Sequence, residues 1–207
     1  MCCIRDQAEA DRAIAAGASA LGLVADMPTG PGIIDDATIR SIALAAPPGV
    51  DTFLLTSRTT AADIAAHQRD CATTTIQVVT HVDVDVHAEL ARLLPGIRRV
   101  QVIHVEGEDA LSMAQSYAPH VHALLLDSGR PSVDELGGTG RVHDWSISRR
   151  IVAGASVPVF LAGGLDPDNI DAAIREVGPY GVDLCSGLRP HGVLDQSLLE
   201  RFMAHLA

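Results

Sequence analysis

The sequence predicts an α/β fold, a single (β/α)8 barrel of the TIM type and near its minimal size, and three observations carry that prediction. Eight short apolar runs recur along 207 residues, their starts 19 to 34 residues apart, the length of one strand, one helix and two loops. The runs are continuous and do not alternate with polar residues, as in ALLL at 123–126 and VPVFLA at 157–162, which is the pattern of strands buried on both faces. Between the runs, apolar residues fall at helical spacing. Eight such units close into a barrel. A doubly wound open sheet fits less well, because no GxGxxG follows the first run. No linker or low-complexity tract interrupts residues 1–207, so the chain reads as one domain.

Taken in order, each strand run leads to one helical stretch. Met1–Ile4 precedes Ala8–Ala16, Ala20–Ala25 precedes Asp36–Leu44, and Thr52–Thr56 precedes Ala61–Gln68. Thr75–Thr80 then leads to His87–Leu94, Val100–Val105 to Ala110–Tyr117, and Ala123–Leu126 to Ser146–Ala153. Val157–Ala162 leads to Asn169–Val177, and Val182–Cys185 to Ser197–Leu206. The stretch HVDVDVH at 81–87 alternates imidazoles and carboxylates, yet it fits a strand end entering a helix capped by Asp83 or Asp85, and no further ligands complete a metal site. The first run is short enough that a start some residues upstream is expected.

Composition excludes several classes. Hydrophobic residues make up 47% and charged residues 20%, as in a folded globular chain. Fifteen Lys and Arg stand against 26 Asp and Glu, a net charge of −11 that argues against a nucleic-acid partner. No apolar run approaches the roughly 20 residues of a membrane span, and MCCIRDQAEAD turns acidic where a signal peptide needs its apolar region, so a cytoplasmic protein is expected. The six aromatic residues leave the core to Ala, Val, Leu and Ile. Four cysteines occur without a CxxC pair. Cys2 and Cys3, being adjacent, are expected on opposite sides of a strand, as free thiols in a reducing compartment.

A barrel of this kind places its active site at the C-terminal strand ends. There the sequence offers Cys2 and Cys3, Asp26, Ser57, Arg58, His81, His104, Glu106 and Asp127 as acids, bases or polar contacts, with Cys3 the more structural of the two thiols. The last strands end instead in small residues: Gly163 and Gly164 after the seventh run, Ser186 and Gly187 after the eighth, with GGTG at 137–140 after the sixth. Bare backbone N–H groups clustered after the last strands suit a phosphate, so Gly138, Gly140, Gly163, Gly164, Ser186 and Gly187 are the expected phosphate-binding residues. Screening over about 8 Å lets that local cluster outweigh the negative net charge.

The segments LLLDS, GGTGRVHDW, PVFLAGGLDPDNI and PYGVDLCSG, with AGASALGLV at 16–24, closely resemble those of the phosphoribosylanthranilate isomerase family of tryptophan biosynthesis. The resemblance spans essentially the whole chain and is strongest from Val100 onward. It implies a (β/α)8 isomerase that performs an Amadori rearrangement on a phosphorylated sugar amine, converting N-(5-phosphoribosyl)anthranilate to its 1-deoxyribulose 5-phosphate product. It puts Cys2 on the general base, Cys3 on a glycine, and Asp127 on the general acid that opens the furanose ring. Asp183, in GVDLC, falls at a substrate-contacting position, and His81 is retained from the family's histidine motif. A carboxyl in an apolar barrel mouth has its pKa raised, as an acid requires, and the thiol is expected to be drawn down toward the thiolate.

Two departures stand out. Where the family carries an arginine that meets the anthranilate carboxylate, this chain has Gly32, and Arg58 is the substitute that placement suggests. Of the histidine motif only His81 remains. The departures keep two alternatives in view: a paralogue isomerising a different phosphorylated sugar amine, and a non-catalytic sugar-phosphate binder. No cofactor or metal is expected, since ring opening and enolisation need only an acid and a base. The expected partner is the small phosphorylated substrate, with the chain a monomer or homodimer.

Overall fold

The computed structural model describes residues 1–28, 30–129 and 142–206. Seven parallel strands form one sheet in sequence order: β1 (Ala20–Val24), β2 (Asp51–Thr56), β3 (Thr75–Val78), β4 (Arg98–His104), β5 (Ala123–Asp127), β6 (Val159–Leu161) and β7 (Gly181–Val182). The helices are α1 (Gln7–Ala15), α2 (Asp36–Ala45), α3 (Ala61–Cys71), α4 (Val84–Leu93), α5 (Asp109–Tyr117), α6 (Trp145–Gly154), α7 (Ile170–Val177) and α8 (Gln196–Ala204). This is the strand–helix alternation of a TIM barrel.

The continuous apolar runs are explained by two cores, one on each face of the sheet. On β5, Leu124 and Leu126 join the layer beneath the helices, with Ile147, Ile151 and Phe202, while Ala123 and Leu125 join the barrel interior with Val24, Leu55, Val79 and Val102. Each fully buried aliphatic side chain contributes about 1.5–3 kcal/mol, so neither face of such a strand tolerates a polar residue without a partner. Among the described residues, six of the eight helices, all but α5 and α7, start where a side-chain oxygen satisfies an otherwise orphaned N–H. Asp6 accepts from Glu9, Asp35 from Thr38, Thr60 from Asp63, Asp144 from Ser146 and Asp195 from Leu198. Of the two capping candidates in HVDVDVH, Asp83 is the cap, accepting from Asp85 N–H.

The first predicted strand departs from expectation. Residues 1–4 are not a regular strand, yet they occupy the eighth place: Cys2 N–H donates to Leu184 O (2.9 Å) beyond β7, and Gly22 N–H of β1 donates to Met1 O (2.8 Å). The segment thus joins the two sheet edges. Regular pairing fails because Cys3 has φ +60°, a left-handed conformation that a non-glycine residue rarely adopts. The eighth predicted strand is shorter than expected, ending at Val182, so that Asp183, Leu184 and Cys185 form the turn that faces residues 1–4. A bidentate pair ties this corner together, Arg189 donating to Glu9 at 2.9 Å through both nitrogens, both residues being buried.

Candidate active site

A cleft opens at the C-terminal strand ends, with about 720 Å³ of free space including its mouth. Its floor is apolar, from Val24, Leu55, Val79, Val102 and Leu125, and its polar groups converge from four elements. Residues 1–4 bring Cys2 and Cys3, the end of β5 brings Asp127, the turn after β6 brings Gly163 and Gly164, and the turn after β7 brings Asp183, Cys185 and Ser186. An apolar hollow with a few convergent titratable groups has the makings of an acid–base site.

Asp127 is held by register: β5 ends on it, paired with His104 of β4, and Ser128 N–H donates to its Oδ1 at 2.7 Å. Burial pushes its carboxyl up to about 6, the charge of Asp183 adds to the rise, and the Ser128 N–H opposes it. Asp183 is pushed up to about 7, again mainly by burial and then by Cys2, while Met1 N, 3.4 Å from its Oδ1, acts in the opposite sense. One cleft therefore holds two carboxyls that keep their protons well above the ordinary range.

The thiols differ from expectation in two respects. Cys2 and Cys3 do not point apart, because the left-handed Cys3 turns its Sγ to within 3.9 Å of Cys2 Sγ. Nor is Cys2 drawn toward the thiolate. It is pushed up to about 12, chiefly by its hydrogen bond to Cys185, whereas Cys185 is drawn down to about 4 by the hydrogen bonds it receives from Cys2 and Cys3. Cys3 was expected to be structural and Cys185 was not a candidate from the sequence, although Cys185 stands directly before Ser186 at a strand end, the one signal that pointed to it.

On the anion side, Gly163 and Gly164 have φ +82° and +65°, values that glycine takes without strain. The N–H groups of Gly163, Gly164 and Ser186 meet no acceptor among the described residues. Gly187 does not line the cleft. A Cβ there would lie 2.0 Å from Leu165 O, so packing against the β6 turn requires a glycine. Gly138 and Gly140 lie outside the described residues.

The remaining expectations separate from this cluster. Arg58 follows β2 on the same end of the barrel but stands exposed, away from the cleft lining. His81 is half-buried, its ring 5.5 Å from that of His104, and its pKa is lowered by burial and by that neighbour. It packs with His104 and Tyr117, and His104 in turn hydrogen-bonds Val79 O at 2.8 Å. Gly32 has φ +78°, and a Cβ there would meet Cys3 Cβ at 2.6 Å, so no arginine fits at this position while Cys3 keeps its conformation.

The fold and the sequence both find relatives. A family model described as N-(5'phosphoribosyl)anthranilate (PRA) isomerase matches residues 2–205. The N-(5'-phosphoribosyl)anthranilate isomerase of Haloferax volcanii is 38% identical over 99% of this chain and 90% of its own length. N-(5'-phosphoribosyl)anthranilate isomerase 2 of Methanosarcina mazei is 35% identical over 98% and 91%. The crystal structure of phosphoribosyl anthranilate isomerase from Thermus thermophilus superposes with a TM-score of 0.83 at 25% identity, covering 99% of this chain and 96% of that one. No helix among the described residues is long and apolar enough to cross a membrane. Alike in barrel and in sequence over almost its full length, the chain belongs to the N-(5'-phosphoribosyl)anthranilate isomerase family and is an isomerase of the aldose–ketose type.

Proposed function

We propose that the chain, acting as one barrel domain, performs the Amadori rearrangement of N-(5'-phosphoribosyl)anthranilate, with Asp127 as general acid and Cys2 as the thiol that takes the substrate proton. The observation that carries this reading is the one cleft shared by a buried carboxyl with a raised pKa, three clustered thiols and glycine N–H groups that meet no acceptor among the described residues. Asp127, protonated up to about pH 6, gives its proton to the furanose ring oxygen as the C1'–O bond breaks, leaving a Schiff base. Cys2 then removes the C2' proton, passing its own to the charged Cys185 beside it, and the resulting enolamine relaxes to the ketone as the protons return. Asp183 binds the sugar hydroxyls as a proton-holding partner. The N–H groups of Gly163, Gly164 and Ser186 take the phosphate and fix the ring over the acid.

A second reading rests on Gly32. Without room for a carboxylate-binding arginine there, the cleft suits a phosphorylated sugar amine whose substituent lacks that carboxylate. Turnover of freshly generated phosphoribosylanthranilate, followed as loss of its fluorescence with Asp127→Asn as control, separates the two. Turnover that the variant loses supports the first. Absence of turnover with phosphate binding intact transfers the acid–base pair to the second.

A further inference from the structure

Three thiols at one point of a barrel mouth exceed what the rearrangement uses. The Sγ atoms of Cys2, Cys3 and Cys185 all lie within 4.8 Å of one another. A tetrahedral zinc with Zn–S bonds of about 2.3 Å needs neighbouring sulfurs roughly 3.8 Å apart, so the trio needs to close by about 1 Å or less. Cys2 and Cys3 already stand at 3.9 Å.

Packing alone does not account for this cluster. Cys3 takes a left-handed backbone that glycine would adopt with about 1–2 kcal/mol less strain, and it is this conformation that turns its sulfur toward Cys2. Outside the trio, among the described residues, Cys2 meets Leu184 O at 3.3 Å and the Asp183 carboxyl, and Cys3 meets Pro31 O at 3.6 Å. The cleft reaches all three residues, which leaves a fourth coordination position open to water or a small ligand. Arg189, although paired with Glu9, lies near enough for its charge to act on Cys185 and Cys3 as well.

We propose that Cys2, Cys3 and Cys185 form a three-thiolate site for a thiophilic d10 cation such as Zn2+, and that its occupancy switches the isomerase off by holding Cys2 as a ligand. Thiolate sulfur selects this class over the hard cations, which take oxygen. Each thiol that still holds its proton releases it to solvent on binding the ion, and no electron moves. A second grouping of ligand types among the described residues, Asp36, His67 and Cys71, is a poorer host, since Asp36 and His67 already hydrogen-bond each other at 2.9 Å. The switching half of the proposal rests on the role of Cys2 given above; the binding half does not.

The test is Co2+ titration of the reduced, metal-free protein, read as sulfur-to-cobalt charge-transfer absorption, followed by displacement with Zn2+. The expected result is one ion per chain, with affinity weakened on the order of 100-fold or more in Cys3→Gly and in Cys185→Ser, beyond what loss of an outer-shell contact produces. Cys3→Gly suits its backbone and guards against a folding failure, and Cys71→Ser is expected to bind as the parent does. No absorption at saturating Co2+, or absorption unchanged in both thiol variants, overturns the proposal. So does a reduced protein that takes no metal yet reversibly loses two thiols to peroxide, which would make the cluster a redox pair. In the activity arm, one equivalent of Zn2+ stops the parent, and chelator restores it. A metal-free parent without turnover counts against the isomerase reading and leaves the absorption result standing.

Discussion

The two halves of the barrel mouth are built by different means. The half made by β5 to β7 relies on strand register and glycine backbone: Asp127 sits where β5 ends, and Gly163 and Gly164 turn the chain directly after β6. The half made by residues 1–4 and the loop after β1 relies on chain segments that meet only in the folded state, Cys2 against Leu184 and Gly32 against Cys3. In the first half a side chain's role follows from its place on its own strand. In the second it follows from which segment it touches, and a single residue in an unusual conformation, Cys3, rearranges everything near it.

The sharpest test of the register-built half is Asp127→Asn, which we expect to lower kcat by about 10²–10⁴ while sparing phosphate binding. The same substitution is expected to stabilise the protein at neutral pH. The folded carboxyl has its pKa raised from 3.8 to about 6, so the proton it binds favours the folded state below pH 3.8, and that contribution is lost as pH rises through about 6. Above that value the charged carboxylate disfavours folding by up to about 3 kcal/mol, which the neutral amide removes. Urea unfolding of parent and variant at pH 4 and pH 8 checks this: the stability gap should open only at the higher pH. For the parent, kcat/KM should fall with rising pH through the same value as the acid loses its proton. A parent profile flat between pH 5 and 8 would sink the assignment of the acid.

The corner behind the segment-built half should break next. Arg189→Met leaves Glu9 buried and unpaired, and we expect a loss of about 3–5 kcal/mol in urea unfolding. Gly187→Ala drives a methyl into Leu165 O and should lower stability by at least about 2 kcal/mol, read as a fall in Tm, even though Gly187 itself does not line the cleft. Gly32→Arg, which restores the residue type common in the family, is expected to lose activity and stability together, because its Cβ meets Cys3 before the guanidinium can reach a carboxylate.

These regional differences also mark where the sequence was informative. Among the described residues, the eight helices and seven strands were legible, the last strand only in its placement, because two-sided burial writes a continuous apolar run and amphipathic burial writes a helical one. Asp127 and the Gly163–Gly164 turn were legible for a related reason, since their position in the site is set by the strand that precedes them. Cys185 and the proximity of Cys2 to Cys3 were not, because strand alternation placed the two thiols on opposite sides, and nothing local announces that Cys3 takes a positive φ. Arg58 and His81 show the converse placement, outside the cleft lining. Both lie at strand ends as expected, but a strand end faces a cleft only when its side chain is not claimed elsewhere. Arg58 stands in solvent, and His81 packs with His104 and Tyr117.

The smallest expected effect tests the comparison most directly. Cys3→Gly removes the one side chain whose backbone strain couples the first segment to the loop after β1. Relief of the left-handed strain is worth about 1–2 kcal/mol, offset in part by the greater freedom of glycine in the unfolded chain and by the lost burial of a thiol, so the net change should fall within about 1 kcal/mol of zero. The informative reading is the double variant. With Cys3 gone, the 2.6 Å approach that excludes a side chain at Gly32 is removed, so Cys3→Gly combined with Gly32→Arg should recover stability that Gly32→Arg alone loses. A thermodynamic cycle on these two positions should give a coupling of about 1 kcal/mol or more in the direction of mutual compatibility. Strict additivity would mean that the loop after β1 yields around either residue independently, and that the second half of the mouth is less dependent on Cys3 than its geometry requires.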